Sequence, residues 1–302
     1  MHNPPHSAHA RSLVRRTLRV LAVAALALVS LPGSAAAGTN DITLGRFGEC
    51  NVTANSRCFG VIVNEEAYRQ LSRDLGLLTQ PRNAAPAGTL GTAGFAFRID
   101  HSFHTIDAQS EGWQLGRVTP SDDDLLHTSH FHVRKGLPFG FEIEGSVGHL
   151  WGSEMMTVGT GIKWSPLEDI YWPAPDLSFR GSVGTLLGVP TMNVTTIGAD
   201  VLLGTRVGVG HVMTISPWAG YSLAAVVSST RMLDADPEVR RPQTDAGASS
   251  YFSEFVFGTD TELVHRATLG LHFQFTVATL SFEAMLGDSD VQSYTLSLGA
   301  EF

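Results

Sequence analysis

The sequence has few lysines and few cysteines, and beyond its N-terminal region it has no long hydrophobic run. Only two of its 302 residues are lysine, Lys135 and Lys163, and the formal net charge is −9. Because phosphate binding needs clustered Lys and Arg, nucleic acid is excluded as an expected partner. After the N-terminal region the sequence has no stretch of about 18 apolar residues. Membrane-spanning helices are therefore excluded in that later part of the chain.

The first 37 residues have the pattern of a secretory signal peptide. Four arginines precede an apolar run from Val20 to Leu31, and small residues then lead to a cleavage site predicted after Ala37. The run is about a dozen residues, shorter than the roughly 20 that a spanning helix needs. General secretion is favoured over twin-arginine export, although Arg15 and Arg16 are adjacent.

Residues 38–92 differ in composition from the rest of the chain. Cys50 and Cys58 are close together in a chain routed to an oxidising compartment, which predicts a disulfide. Asn64 is a helix cap, and apolar residues at helical spacing predict one amphipathic helix to about Leu78. A Pro-, Gly- and Ala-rich linker follows. Two alternatives are open: a small periplasmic element, which we favour, or a plug inside a barrel.

From residue 93 to the end the dominant period is two. In "FAFRIDHSF", Phe97 and Ile99 share one face, and Arg98 and Asp100 share the other. Similar runs of about ten to twelve residues recur, near the 9 to 11 needed by a tilted strand that crosses hydrocarbon and longer than soluble strands. A soluble sandwich would also alternate. The polar face, however, carries Gly, Ser and charges of both signs, as a lumen does.

The lengths of the connections also alternate. Long segments at about 107–126 and 228–260 are predicted at one end, and tight turns at 135–138, 207–211 and 276–277 at the other. The connection at 165–176 is an exception to this rule. Outer-membrane barrels have short periplasmic turns and long external loops. We therefore predict an all-β fold: a closed antiparallel transmembrane barrel of about ten strands, with 8 to 12 possible, over residues 93–302.

The C-terminal strand carries an alternating pattern that ends on an aromatic residue. Its outward positions are Tyr294, Leu296, Leu298, Ala300 and Phe302. This ending resembles the last strand of bacterial outer-membrane proteins, which the barrel-assembly machinery recognises. The resemblance implies that this machinery and outer-membrane lipid are partners, in the outer membrane of a Gram-negative bacterium. No specific family is indicated.

Charged residues and histidines on the polar face are the candidate site. A paired charge network is predicted to fill a narrow lumen, with a role in selecting small solutes or ions as the less favoured alternative. Its members are Arg98, Asp100, Arg134, Glu142, Glu144, Lys163, Arg180, Asp200, Arg266 and Glu283. His130 and His132 share the polar face near an acidic loop, Asp122 to Asp124, and are the candidate metal ligands.

Three functions remain open from the sequence. The first is a narrow channel or structural barrel, and the second is a surface-binding protein that acts through the long loops. The third is a hydrolase at the outer rim of the barrel, near which Asp100, His104 and His130 are expected to lie. Ser129 and His130 cannot share a site, because neighbours in a strand point to opposite faces. No cofactor is expected and no catalytic set is assigned.

Overall fold

The computed structural model describes residues 38–52, 58–168, 175–210, 212–235 and 253–302. The predicted signal peptide, residues 1–37, lies outside the described residues. Residues 38–302 form one compact unit. No helix in the described part of the chain has the length and hydrophobicity needed to cross a membrane.

The N-terminal segment forms a short hairpin and one helix. β1 (Gly48–Val52) and β2 (Cys58–Val63) pair antiparallel, and α1 (Glu65–Thr79) follows. Asn64 Oδ1 accepts a hydrogen bond of 3.1 Å from the Ala67 amide, so the predicted cap and helix are confirmed. The side chain of Cys58 lies outside the described part, and the Cys50–Cys58 disulfide therefore stays a prediction.

Ten long antiparallel strands close into a barrel, as predicted. An eleventh, β9 (Val207–Val209), pairs among the described residues only with the start of β10 (Met213–Thr230). Closure joins the last strand to the first, with Leu298 opposite Ile99. The barrel strands are β3 (Phe95–Thr105), β4 (Leu125–Leu137), β5 (Phe141–Leu150), β6 (Met156–Trp164), β7 (Asp176–Leu187), β8 (Met192–Gly204), β10 (Met213–Thr230), β13 (Asp260–Phe275), β14 (Ala278–Gly287) and β15 (Gln292–Glu301).

The connections divide the barrel into two ends. At the loop end, the 106–124 connection contains the short helix α2 (Glu111–Gly116), and the 231–259 connection contains the paired β11 (Leu233–Asp234) and β12 (Glu254–Phe255). At the turn end, Pro138–Gly140 and residues 276–277 make tight turns. Two sequence predictions are corrected here: Lys135 and Gly136 belong to β4, and residues 207–209 form β9, because both continue the ladder of a neighbouring strand.

The wall is apolar outside and mostly polar inside. On β3, the outward Ile99 side chain is 60% exposed to the surroundings and the inward Asp100 is 0% exposed. The same division holds on β15, where Leu298 is 60% exposed. A belt of outward Ile, Leu, Val and Phe would be costly in water and is what a hydrocarbon surrounding requires. The barrel therefore has the architecture of an outer-membrane protein.

Candidate functional site: the occupied lumen

The linker between α1 and β3 runs through the lumen from the loop end to the turn end. We call residues 80–92 the threading segment. Gln80 Nε2 donates at 3.2 Å to Ser222 Oγ, which lies about midway along its strand. The amide of Leu90 donates to Glu142 Oε2 at 3.0 Å near the turn end. A Cβ added at Gly136 would lie 1.9 Å from the carbonyl oxygen of Gly91, so the segment passes against the wall itself.

Cationic side chains of the wall hold the carbonyl oxygens of the threading segment. Arg180 Nη2 donates to the Pro81 oxygen at 2.9 Å, and Arg98 Nη2 donates to the Arg82 oxygen at 2.7 Å. Lys163 Nζ donates to the Gly88 oxygen at 2.9 Å. Each donor is buried. These bonds supply the partners that an irregular backbone lacks inside a barrel.

Acidic side chains hold the amide groups of the same segment. Glu283 Oε2 accepts from the Ala84 amide at 2.7 Å, and Glu142 accepts from the Leu90 amide. At the turn end of the barrel, Glu168 Oε1 accepts from the Thr89 amide at 2.9 Å. The cationic side chains named here thus bind carbonyl oxygens of the threading segment, and the acidic ones bind its amide groups.

The wall charges also pair with one another. Arg98 Nε lies 3.0 Å from Asp100 Oδ1, and His132 Nε2 lies 3.0 Å from Asp100 Oδ2. Further pairs join Arg180 to Glu144 and Asp200, Arg134 to Glu142 and Glu301, and Lys163 to Glu142. All ten predicted members of the network are buried inside the barrel. A charge buried without a partner would be costly, and these pairs offset that cost.

Arg266 and Glu283 are less completely paired than the rest. Within the described residues, no nitrogen of the buried Arg266 guanidinium has a hydrogen-bond partner, and Glu283 Oε1 also has none. Arg82 of the threading segment reaches towards the loop end, where its Nη2 contacts Ser293 Oγ at 3.1 Å and His104 Nδ1 at 3.3 Å. Sequence reasoning missed Arg82, because a lone arginine in a Pro- and Ala-rich linker shows no periodicity.

The candidate histidines lie in the lumen and not at an accessible rim, and the role of His130 and His132 as metal ligands stays a prediction. His130 and His132 are buried in the lumen, but no group of three or more His, Cys, Asp or Glu suited to a metal occurs among the described residues. The acidic loop is engaged elsewhere: Asp124 Oδ1 accepts from the Ala108 amide. The placement of Asp100, His104 and His130 at an accessible rim is wrong, because all three are at most 3% exposed.

The loop end is closed by the N-terminal segment. We call residues 38–52 and 58–79 the cap. Leu71, Leu75 and Leu78 of α1 are buried in one apolar cluster with inward residues near the strand ends, among them Leu126 and Val226. A Cβ added at Gly76 would lie 2.3 Å from the Val226 side chain. The helix therefore packs directly on the barrel wall.

A buried carboxyl group ties the cap to the 106–124 loop. Trp113 Nε1 donates to Asp74 Oδ2 at 2.9 Å, and Arg73 Nε lies 3.3 Å from Asp74 Oδ1. Burial raises the pKa of Asp74 to about 6, against the lowering effects of Arg73 and of the Trp113 bond. The cap thus contains a group that titrates close to neutral pH.

Solved outer-membrane barrels are similar to this chain in fold. Ail, the attachment invasion locus protein of Yersinia pestis, is 12% identical over 70% of this chain and 99% of its own, with a TM-score of 0.25. The β domain of the Bordetella autotransporter BrkA is 12% identical over 70% and 99%, with a TM-score of 0.32. The translocator domain of NalP from Neisseria meningitidis is 10% identical over 70% and 88%, with a TM-score of 0.34.

No family model matches the chain, and no curated protein matches it significantly. Identities of 10–12% and TM-scores of 0.25–0.34 do not transfer the activity of any of these proteins to this chain. Its function has to be inferred from its own side chains.

Proposed function

We propose that the protein is a sealed outer-membrane barrel that anchors its own N-terminal cap at the external end and does not conduct solutes. The observation that carries the proposal is the occupied lumen: wall charges of both signs bind the backbone of residues 80–92. In a narrow channel these charges would face water and ions. Here they face amides and carbonyls, so the structural role of the barrel is favoured over the channel.

The orientation follows from the loops and the last strand. Long connections lie outside the cell in outer-membrane barrels, and this supports an external position for the cap. Tyr294, Leu296 and Leu298 point outward, and Phe302 is 65% exposed at the turn end. This accessible C-terminal strand supports recognition by the barrel-assembly machinery and placement in the outer membrane of a Gram-negative bacterium, after export by a cleaved leader.

Conductance tests the seal. The refolded protein is inserted into planar bilayers, with an open porin as the positive control in the same bilayers. We expect no stepwise current from this protein. Steady conductance steps from the wild-type protein would overturn the sealed barrel and restore the narrow channel.

Lysine labelling tests the orientation, because the chain offers almost no other reactive amines. Lys163 is buried, and Lys135 lies at the turn end. Ile62→Lys adds an amine on the cap, where Ile62 is 66% exposed, and Phe139→Lys adds one at the turn end, where Phe139 is 89% exposed. A membrane-impermeant amine reagent is expected to label position 62 on intact cells and position 139 only after lysis, as mapped by mass spectrometry. The reverse pattern would place the cap inside the cell envelope.

Surface binding is the second candidate function, and exposed apolar side chains at the loop end support it. Met232 and Val256 flank the β11–β12 pair and are 69% and 58% exposed. Apolar side chains on external loops are typical of contact surfaces. Met232→Asp combined with Val256→Asp should reduce attachment of producing cells to protein-coated surfaces. Unchanged attachment would remove this candidate.

A further inference from the structure

A polar cluster interrupts the apolar outer face of the barrel near the loop end. Ser129 on β4 lies between His101 on β3 and His149 on β5 in the strand register, and all three face outward. Most of their outward neighbours along the strands are apolar, such as Ile99 and Phe131. The other outward neighbour of Ser129 on β4 is a further histidine, His127, whose ring centroid lies 5.7 Å from that of His101. Polar side chains on a lipid-facing wall cost free energy and therefore call for a functional explanation.

The hydrogen bonds orient the Ser129 hydroxyl. Its Oγ lies 2.9 Å from His101 Nδ1 and 2.9 Å from Trp151 Nε1. An indole nitrogen can only donate, so Trp151 donates to the oxygen of Ser129. With His101 in the tautomer that carries its proton on Nε2, the Ser129 hydroxyl donates its hydrogen to His101 Nδ1. This is the arrangement of a serine nucleophile and its general base.

Ser129 and His101 lie at the depth in the membrane at which lipid ester groups are found. His101 is four residues from the loop end of β3, and Ser129 is four residues from the loop end of β4. Trp151, which begins the turn after β5, is 54% exposed. Tryptophan is typical of the boundary between hydrocarbon and headgroups. Ester carbonyls that join acyl chains to lipid headgroups are found at this boundary, with water close by.

We propose that Ser129 and His101 are the nucleophile and general base of a site that hydrolyses an acyl ester of an outer-leaflet lipid. Ser129 Oγ forms a bond to the ester carbonyl carbon while its proton passes to His101 Nδ1. The ester C–O bond then breaks, and the alcohol leaves with that proton. Water attacks the acyl-serine, His101 accepts a proton from it and returns a proton to Ser129 Oγ, and a fatty acid is released.

The sequence did not reveal this pairing: it offered only the neighbouring His130 as a partner for Ser129, and that pair was excluded because neighbours in a strand point to opposite faces. The structure places His130 in the lumen on the opposite face, as the strand rule requires, and supplies His101 from the adjacent strand instead. The site is independent of the sealed lumen, since none of its side chains faces inward.

The test combines covalent labelling with product release. Full-length protein is reconstituted in phosphatidylethanolamine–phosphatidylglycerol vesicles or in vesicles that contain lipopolysaccharide, and then treated with a fluorophosphonate probe. We expect the adduct on Ser129 by mass spectrometry and free fatty acid from one of the two vesicle types, which identifies the lipid. Ser129→Ala should abolish both signals, and His101→Gln should lower both by at least about 100-fold.

Thr160→Ala is the matched control. Thr160 is an outward residue whose hydroxyl donates to the Glu144 carbonyl oxygen and has no histidine partner in the strand register. This variant should keep wild-type labelling and release. Heat-modifiable gel mobility confirms that each variant is folded. No adduct on Ser129 in folded wild-type protein, or equal fatty acid release from wild type and Ser129→Ala, would overturn the proposal.

Discussion

The two halves of the lumen are filled by different chemistry. In the loop-end half, the helix α1 packs Leu71 and Leu75 against apolar inward residues such as Val226. In the turn-end half, the threading segment is held by charged side chains such as Lys163 and Glu142. The backbone of a helix satisfies most of its hydrogen bonds internally, so α1 is held mainly by apolar packing, and side chains such as Thr196 serve only the carbonyl oxygens of its last turn. The threading segment has no such internal bonds, so the wall has to supply donors and acceptors.

The largest effect is expected from the charged half. Arg180→Met removes the partner of Glu144 and Asp200 and the donor to the Pro81 oxygen. Breaking a buried ion pair by removing one member costs about 3 to 5 kcal/mol. Urea unfolding in lipid vesicles should show that loss in the free energy of unfolding. Arg231→Met, at an exposed position, is the control and should change it by no more than about 0.5 kcal/mol. Equal effects of the two variants would contradict the role assigned to Arg180.

A smaller, local effect is expected from the apolar half. Leu75→Ala leaves a cavity in the core of the cap, where Leu75 is 0% exposed, at a cost of about 2 to 5 kcal/mol. Hydrogen exchange should become faster in α1 and remain slow in the barrel strands, because those strands keep their ladder bonds. Leu298→Ala on the lipid-facing surface is the control and should leave exchange in α1 unchanged. Faster exchange throughout the barrel would mean that the two halves are not separable.

The smallest effect is the pH dependence of the cap. Because burial raises the pKa of Asp74 to about 6, the folded cap binds a proton more tightly than the unfolded cap does. The stability of the cap is therefore highest below the unfolded pKa, near 4, and falls as pH rises to about 6 and above. The full difference is no more than about 3 kcal/mol.

Asp74→Asn tests this dependence, since an amide oxygen can still accept from Trp113. In limited proteolysis, α1 of the wild type should be cleaved faster at pH 7 than at pH 4.5. The difference between the two pH values should be smaller in the variant. The same pH dependence in both proteins would exclude Asp74 as the titrating group.

Much of the barrel was predictable from local pattern. Strand alternation depends only on the two-residue repeat of side-chain direction, so the inward placement of residues such as Arg98 and Glu144 followed from the sequence. The role of Asn64 as the N-cap residue of α1 was also predictable, because N-capping is a contact within the first turn of a helix. Inward Leu126 and Val226 depart from the polar lumen expected of the inner face, since α1 packs on them.

The sequence by itself determined which residues alternate and which face of each strand is polar. Only the tertiary structure decided that residues 80–92 pass through the barrel and that Ser129 meets His101. Both depend on contacts between segments distant in the chain: closure of the sheet sets the register of β3 against β4 and encloses the space that the linker occupies. Periodicity reports the direction of a side chain along its own strand, and it carries no information about what lies opposite.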